Sequence, residues 1–157
     1  MSGIQLKNQN QEAGTIVNVS ATVPPHAPTA AAVIARVGAL GTGKAHIVVA
    51  VAVAGTKGNS ADFKQVVRLR DAGFDGTGTT VITNDAVIAD ASLAAEPAQG
   101  AIVQGLMLAS AAPVIKGKII DIHYSESGTI GTATRATFTV LEVILEPAQH
   151  VDARFNQ

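Results

Sequence analysis

The chain has 157 residues, enough for one domain with a core of its own. Its formal net charge is −1, and its 11 basic residues are scattered, with no run longer than Arg68-Leu69-Arg70, which argues against a nucleic-acid or anionic-membrane surface. Cysteine is absent, so disulfides, thiolate nucleophiles and cysteine metal knots are excluded.

Apolar residues make up 47% of the chain, yet aromatics are only 3% and charged residues only 15%, against roughly 25% in ordinary soluble domains. A lightly charged chain rich in Ala and Val carries more apolar surface than one core uses. Burial against other subunits is one outlet for it. The longest apolar run, Ile47 to Ala54, is far short of the roughly 18 residues that span a bilayer. The first residues lack the basic and apolar regions of a signal peptide.

Met1 to Gly14 is polar and rich in Gln and Asn, and reads as an arm, disordered alone or ordered by a partner. From Thr15 the period becomes two: Val17, Val19, Ala21 and Val23 alternate with Asn18, Ser20 and Thr22. This predicts a half-buried strand ended by Pro24-Pro25. Ala31 to Val37 alternates again and is read as a strand, although its alanines leave a helix open.

The next stretch, GALGTGKA from Gly38 to Ala45, is one residue away from the phosphate-binding loop G-x-x-x-x-G-K-[ST]. A phosphate loop needs a helix after it, whose amides and dipole meet the phosphates. Here Lys44 is followed by AHIVVAVAVA, a β-branched run of period two, and Ala45 stands where Ser or Thr would hold magnesium. The stretch therefore reads as a glycine-rich hairpin turn. In the strand that follows, Ile47, Val49, Val51 and Val53 share one face, while His46, Val48, Ala50, Ala52 and Ala54 share the other. Both faces are apolar, which predicts cover on both sides.

After the turn Gly55 to Ser60, FKQVVRLRD places Val67 and Leu69 on one face of a strand and Arg68 and Arg70 on the other. A flexible GFDGTGTT loop and a short TTVIT strand follow. The segment from Asn84 to Gly100 is ambiguous, because Asn84 or Asp85 is a fitting cap for a short helix through Leu93. Gly100 to Ser110 reads as a strand with Gly105 at a bulge. Lys118 to Tyr124 alternates Ile120, Ile122 and Tyr124 with Asp121 and His123. In the last strand, ATFTVLEVILE, Phe138 and Val140 share one parity and Leu141, Val143 and Leu145 the other, so a bulge or two-sided burial is expected. Pro147 stops it, and a tail follows.

These readings sum to an all-β fold: an antiparallel jelly roll or β-sandwich of about eight strands over residues 15–146, with an amino-terminal arm (1–14) and a carboxy-terminal tail (147–157). No catalytic, cofactor or metal set is expected. His26, His46, His123 and His150 show no i, i+2 or i, i+4 pairing, although a meeting of His46 and His123 across strands stays open. No G-x-S-x-G elbow is present, and Asp71, Asp75, Asp85 and Asp90 lie in or near loops, where turn formation is the usual reason for Asp. One Tyr, four Phe and no Trp leave little for aromatic platforms that bind sugars or single strands. Arg68 and Arg70 face one way and are placed to grip a carboxylate on a partner; the plainer reading is a solvated strand face.

Two late stretches, APVIKGKIIDIHYSES (Ala112 to Ser127) and SGTIGTATRATFTVLEVI (Ser127 to Ile144), resemble the closing strands of small jelly-roll domains in phage structural proteins. Those are similar in outline to tumour-necrosis-factor and C1q-like heads, which are richer in aromatics. The resemblance implies a non-enzymatic virion component on the capsid surface: a decoration (cement) protein, or alternatively a fibre or receptor-binding head. It implies the major capsid protein or other virion subunits as partners, a homo-trimer or homo-dimer, and arms that grip neighbours. The candidate partner contacts are then Ile4, Leu6 and Lys7 in the arm, Arg68 and Arg70 in the domain, and Arg154 and Phe155 in the tail. A jelly-roll enzyme is the remaining alternative.

Overall fold

A computed structural model describes residues 16–17, 21–22, 31–53, 64–90, 99–128 and 136–147. The described residues form ten strands and no helix: β1 (Ile16–Val17), β2 (Ala21–Thr22), β3 (Ala32–Gly38), β4 (Gly43–Val53), β5 (Lys64–Gly73), β6 (Thr80–Val81), β7 (Ala86–Asp90), β8 (Ile102–Gly105), β9 (Ile119–Ser127) and β10 (Thr137–Pro147). All pairings between them are antiparallel.

The strands form two sheets. Sheet A runs β1-β10-β4-β8, with β2 also on β10, and sheet B runs β3-β9-β5-β6, with β7 also on β5. The pairings nest. The first strands pair with the last (β1 and β2 with β10), β3 with β9, β4 with β8, and β5 with β7. This is one long hairpin wrapped into two layers, the strand order of a jelly roll.

The period-two pattern places the core. Ala45, Ile47, Val49 and Val51 of β4, with Phe138, Val140, Val143 and Leu145 of β10, line the inner face of sheet A. Val67 and Leu69 of β5, and Ile120, Ile122 and Tyr124 of β9, line that of sheet B. Each large apolar side chain so covered contributes roughly 1.5–3 kcal/mol. The phase change in the last strand is a bulge: the register with β4 slips between Val140 and Glu142. Leu141 is turned outward there, so residues of opposite parity on its two sides reach the same core.

Three expectations are corrected, and one open choice is decided. Gly38 to Gly43 is not a hairpin turn, because β3 and β4 belong to different sheets and the loop arches between the layers. The open choice at residues 84–100 falls to strand, with β7 running to Asp90, while residues 91–98 lie outside the described set. Ala86, Ile88 and Ala89 are buried there, so packing decides against the capped helix. Gly105 is not at a bulge, since β8 pairs with β4 in unbroken register from Ile47–Gly105 to Ala50–Ile102. The outer face of β4 is only half-covered at His46, Val48 and Ala50, and Ala52 is exposed.

Gly105 serves a different purpose. Beyond it the chain leaves sheet A and joins the edge of sheet B, where the Asn84 amide donates to the Leu106 carbonyl and the Leu108 amide to the Ile82 carbonyl. A Cβ at Gly105 would sit 2.5 Å from the Asn84 carbonyl oxygen and 2.9 Å from Ile47 Cγ2. Only glycine lets the two sheet edges come this close.

Candidate functional site

The outer face of sheet B concentrates the charged chemistry. Arg36 of β3 and Arg70 of β5 lie directly opposite Asp121 of β9, one on each side. Arg36 Nε donates to Asp121 Oδ1 at 2.9 Å, and Arg70 Nη2 donates to Oδ2 at 3.3 Å. Arg36 also donates through Nη2 to the Gly76 carbonyl at 3.1 Å, tying the β5–β6 loop to this row. The Asp121 side chain is buried, Arg70 is 16% exposed and Arg36 is 53% exposed.

The next row pairs His123 of β9 with Arg68 of β5. Arg68 Nε lies 3.0 Å from Asp85 Oδ1 but without hydrogen-bond alignment, so the contact is ionic only. Lys64 approaches Asp85 and Asp90 at 3.9 and 4.0 Å. Burial pushes the His123 imidazole below its ordinary range, Arg70 and Arg68 push it further the same way, and Asp121 opposes them.

One end of the sandwich carries a second group. Gly38, Ile119 and Gly73 are aligned across sheet B, so the loops after β3 and β5 and before β9 gather there. The Ala39 amide donates to the Lys118 carbonyl and the Gly117 amide to the Ala39 carbonyl. Lys118 Nζ donates to Asp71 Oδ2 at 2.8 Å and lies 5.8 Å from the centre of the Phe74 ring. Leu40, Phe74 and Ile115 are all exposed at this end. Asp75 accepts from the amide and hydroxyl of Thr77, and these bonds hold its carboxyl below the usual range.

The inner polar residues are used differently. Gln65 donates to the Tyr124 hydroxyl at 2.7 Å and accepts from the Ala136 amide at 2.9 Å, joining sheet B to the approach to β10. The Tyr124 hydroxyl donates to Glu126 at 2.6 Å. Thr83 Oγ1 accepts from the Leu69 amide at 2.9 Å, where the edge of sheet B is interrupted between β6 and β7.

The structure places Arg68 and Arg70 together on one face, as the alternation implied. Ile4, Leu6, Lys7, Arg154 and Phe155 lie outside the described residues. His46 and His123 do not meet: they stand on the outer faces of opposite sheets. His46 instead accepts from the Met107 amide at Nδ1 and contacts Glu146 at 3.2 Å through Nε2. No group of three potential metal ligands occurs among the described residues. Lys44 is exposed at the start of β4, in register with Glu146, and the Gly43 amide donates to the Val114 carbonyl. That amide is committed to the protein itself, and a strand follows it, so the loop lacks the frame of a phosphate site.

Sequence reasoning did not single out Arg36 or Asp121, and weighed His123 only as a metal ligand together with His46. The signal was present, since Asp121 and His123 interrupt an apolar alternation and so face away from the core. Which strand lies beside β9 is a matter of topology, and only that brings both arginines to Asp121. No protein-family model, curated protein or solved structure matches the chain.

Proposed function

We propose that the protein is a non-enzymatic structural component of a virion, a decoration protein that binds the phage capsid surface and stabilises it. One observation carries the reading. The deepest polar side chains hold strands to one another: Gln65 to Ala136, Thr83 to Leu69, and Asp121 to Arg36 and Arg70. Such an interior stiffens a two-sheet body, and the chemistry left for the outside is a charged face and an apolar end. A rigid body with an adhesive exterior suits attachment to a large surface. The resemblance of residues 112–144 to closing strands of phage jelly-roll domains points the same way. Under this reading the partner is the major capsid protein, the subunit acts as a homo-trimer or homo-dimer, and the terminal segments add grip.

Co-sedimentation of the full chain with heads that lack it tests the proposal. Saturable binding with raised resistance of the heads to heat is the expected result. Protein that stays in the supernatant at every concentration overturns it. A fibre or receptor-binding head is the second reading, favoured by the exposed Leu40, Phe74 and Ile115 at one loop end. Binding to a glycan array without binding to heads would select it.

A further inference from the structure

Three buried side-chain nitrogens among the described residues have no hydrogen-bond partner: Arg68 Nε, Arg70 Nε and His123 Nδ1. They lie together. Arg68 is opposite His123, and Arg70 is opposite Asp121, on the same outer face of sheet B. A buried polar nitrogen without a partner costs free energy, so three neighbours in this state require an explanation. Both arginine nitrogens are obligatory donors: Arg68 Nε has only the misaligned Asp85 Oδ1 at 3.0 Å, and Arg70 Nε has no acceptor.

Charge gives the same answer. Arg36 and Arg70 share the single carboxylate of Asp121, which leaves one positive charge in excess on that row. Arg68 is matched by Asp85, and Lys64 by Asp90. Among the described residues the face is therefore short of one negative charge, and the shortage sits beside the unpartnered nitrogens.

We propose that Arg68, Arg70 and His123, with Arg36 at the rim, form a binding site for one carboxylate of an acidic protein segment. The side chains of Arg68 and Arg70 are 25% and 16% exposed while their Nε atoms are buried, so an incoming carboxylate first meets the exposed part of each side chain. A small swing of either end then offers Nε and Nη together, the side-on fork that suits a planar carboxylate. Asp121 and Asp85 interrupt the basic residues, and the chain carries a net charge of −1. A nucleic-acid backbone needs a continuous basic stripe, whereas this face offers one gap of one charge. The inference deepens the proposed function and rests on it only in taking the partner to be a protein.

The test titrates the full chain with a hexaglutamate peptide and, in parallel, with inorganic phosphate, following the arginine Nε–H and histidine ring signals by NMR. Saturable shifts at Arg68, Arg70 and His123 with the peptide are expected. Arg68→Gln weakens binding about tenfold through loss of a charge-assisted pair, and Lys116→Gln at the loop end leaves it unchanged. If Arg68→Gln does not fold, Arg68→Lys keeps a charge near Asp85, lacks Nε and is expected to weaken binding as well. No saturable shift with the peptide, equal affinity in the folded variant, or saturation by phosphate alone overturns the proposal. Head co-sedimentation of the same variants is read separately. Peptide binding without head binding sinks the decoration reading alone, and head binding without a peptide response sinks the carboxylate site alone.

Discussion

Tyr124 of β9 stacks on Phe138 of β10 across the sandwich, with ring centres 5.9 Å apart and planes at 12°. They are the largest fully buried side chains among the described residues, and each comes from a different sheet. In a core built mainly of Ala, Val and Ile, this pair fills the space that smaller residues leave. Phe138→Ala should therefore cost about 3–5 kcal/mol, read as a lower urea midpoint. Tyr124→Phe keeps the ring but removes the acceptor of Gln65, which is left with the Ala136 carbonyl at 3.5 Å. That variant should lose about 1–3 kcal/mol. A neutral result would show that the hydroxyl does not lock Gln65.

Gly105→Ala should destabilise by about 1–3 kcal/mol, because its Cβ meets a backbone carbonyl that cannot step aside. Gly38→Ala is the matched control, with nothing within 4 Å of the added atom and no positive φ. It should be neutral or stabilise by a few tenths of a kcal/mol, through a less flexible unfolded chain. Thermal melts of the two variants decide this. Equal losses would refute the close-approach account of Gly105.

Asp121 separates its two partners. Asp121→Asn leaves Arg70, largely covered, without its counter-charge and should cost about 3 kcal/mol. Arg36→Gln removes a half-exposed partner and should cost at most about 1 kcal/mol. Denaturant titration of both variants checks the ranking, and the reverse order would place the main support of Asp121 on the rim.

The native state disfavours protonated His123, chiefly through burial and then through Arg70 and Arg68. Its folded pKa lies below the unfolded value of 6.5, so the unfolded chain binds more protons in the window beneath 6.5. Stability should fall as pH drops through that window and be recovered above it. His123→Gln should flatten this part of the profile. Urea midpoints between pH 5 and 8 measure it, and an unchanged slope in the variant would assign the dependence to other groups.

Much of the fold was legible because a half-buried sheet writes its geometry as a period of two. The alternation of Val67 and Leu69 against Arg68 and Arg70 gave the faces of β5 directly. The parity change at Leu141 left a bulge or two-sided burial open, and the register slip against β4 selected the bulge. The segment after Asn84 was not legible, because cap-like polar residues before an Ala-rich run fit a helix as well as a strand. The edge of sheet B required the strand, and β5 supplied its partner.

The sequence by itself determined the all-β class and the inward and outward residues of β5 and β9, because these follow from the alternation of neighbours along one chain. It also determined that Lys44 leads into a strand and not a helix. Tertiary structure alone decided which strands lie side by side. That choice brought Arg36 and Arg70 to one carboxylate, set Arg68 beside His123, and required glycine at position 105. These contacts join residues far apart along the chain, 51 positions for Arg70–Asp121 and 85 for Arg36–Asp121. No local pattern encodes such distances; the packing of two sheets around one core does.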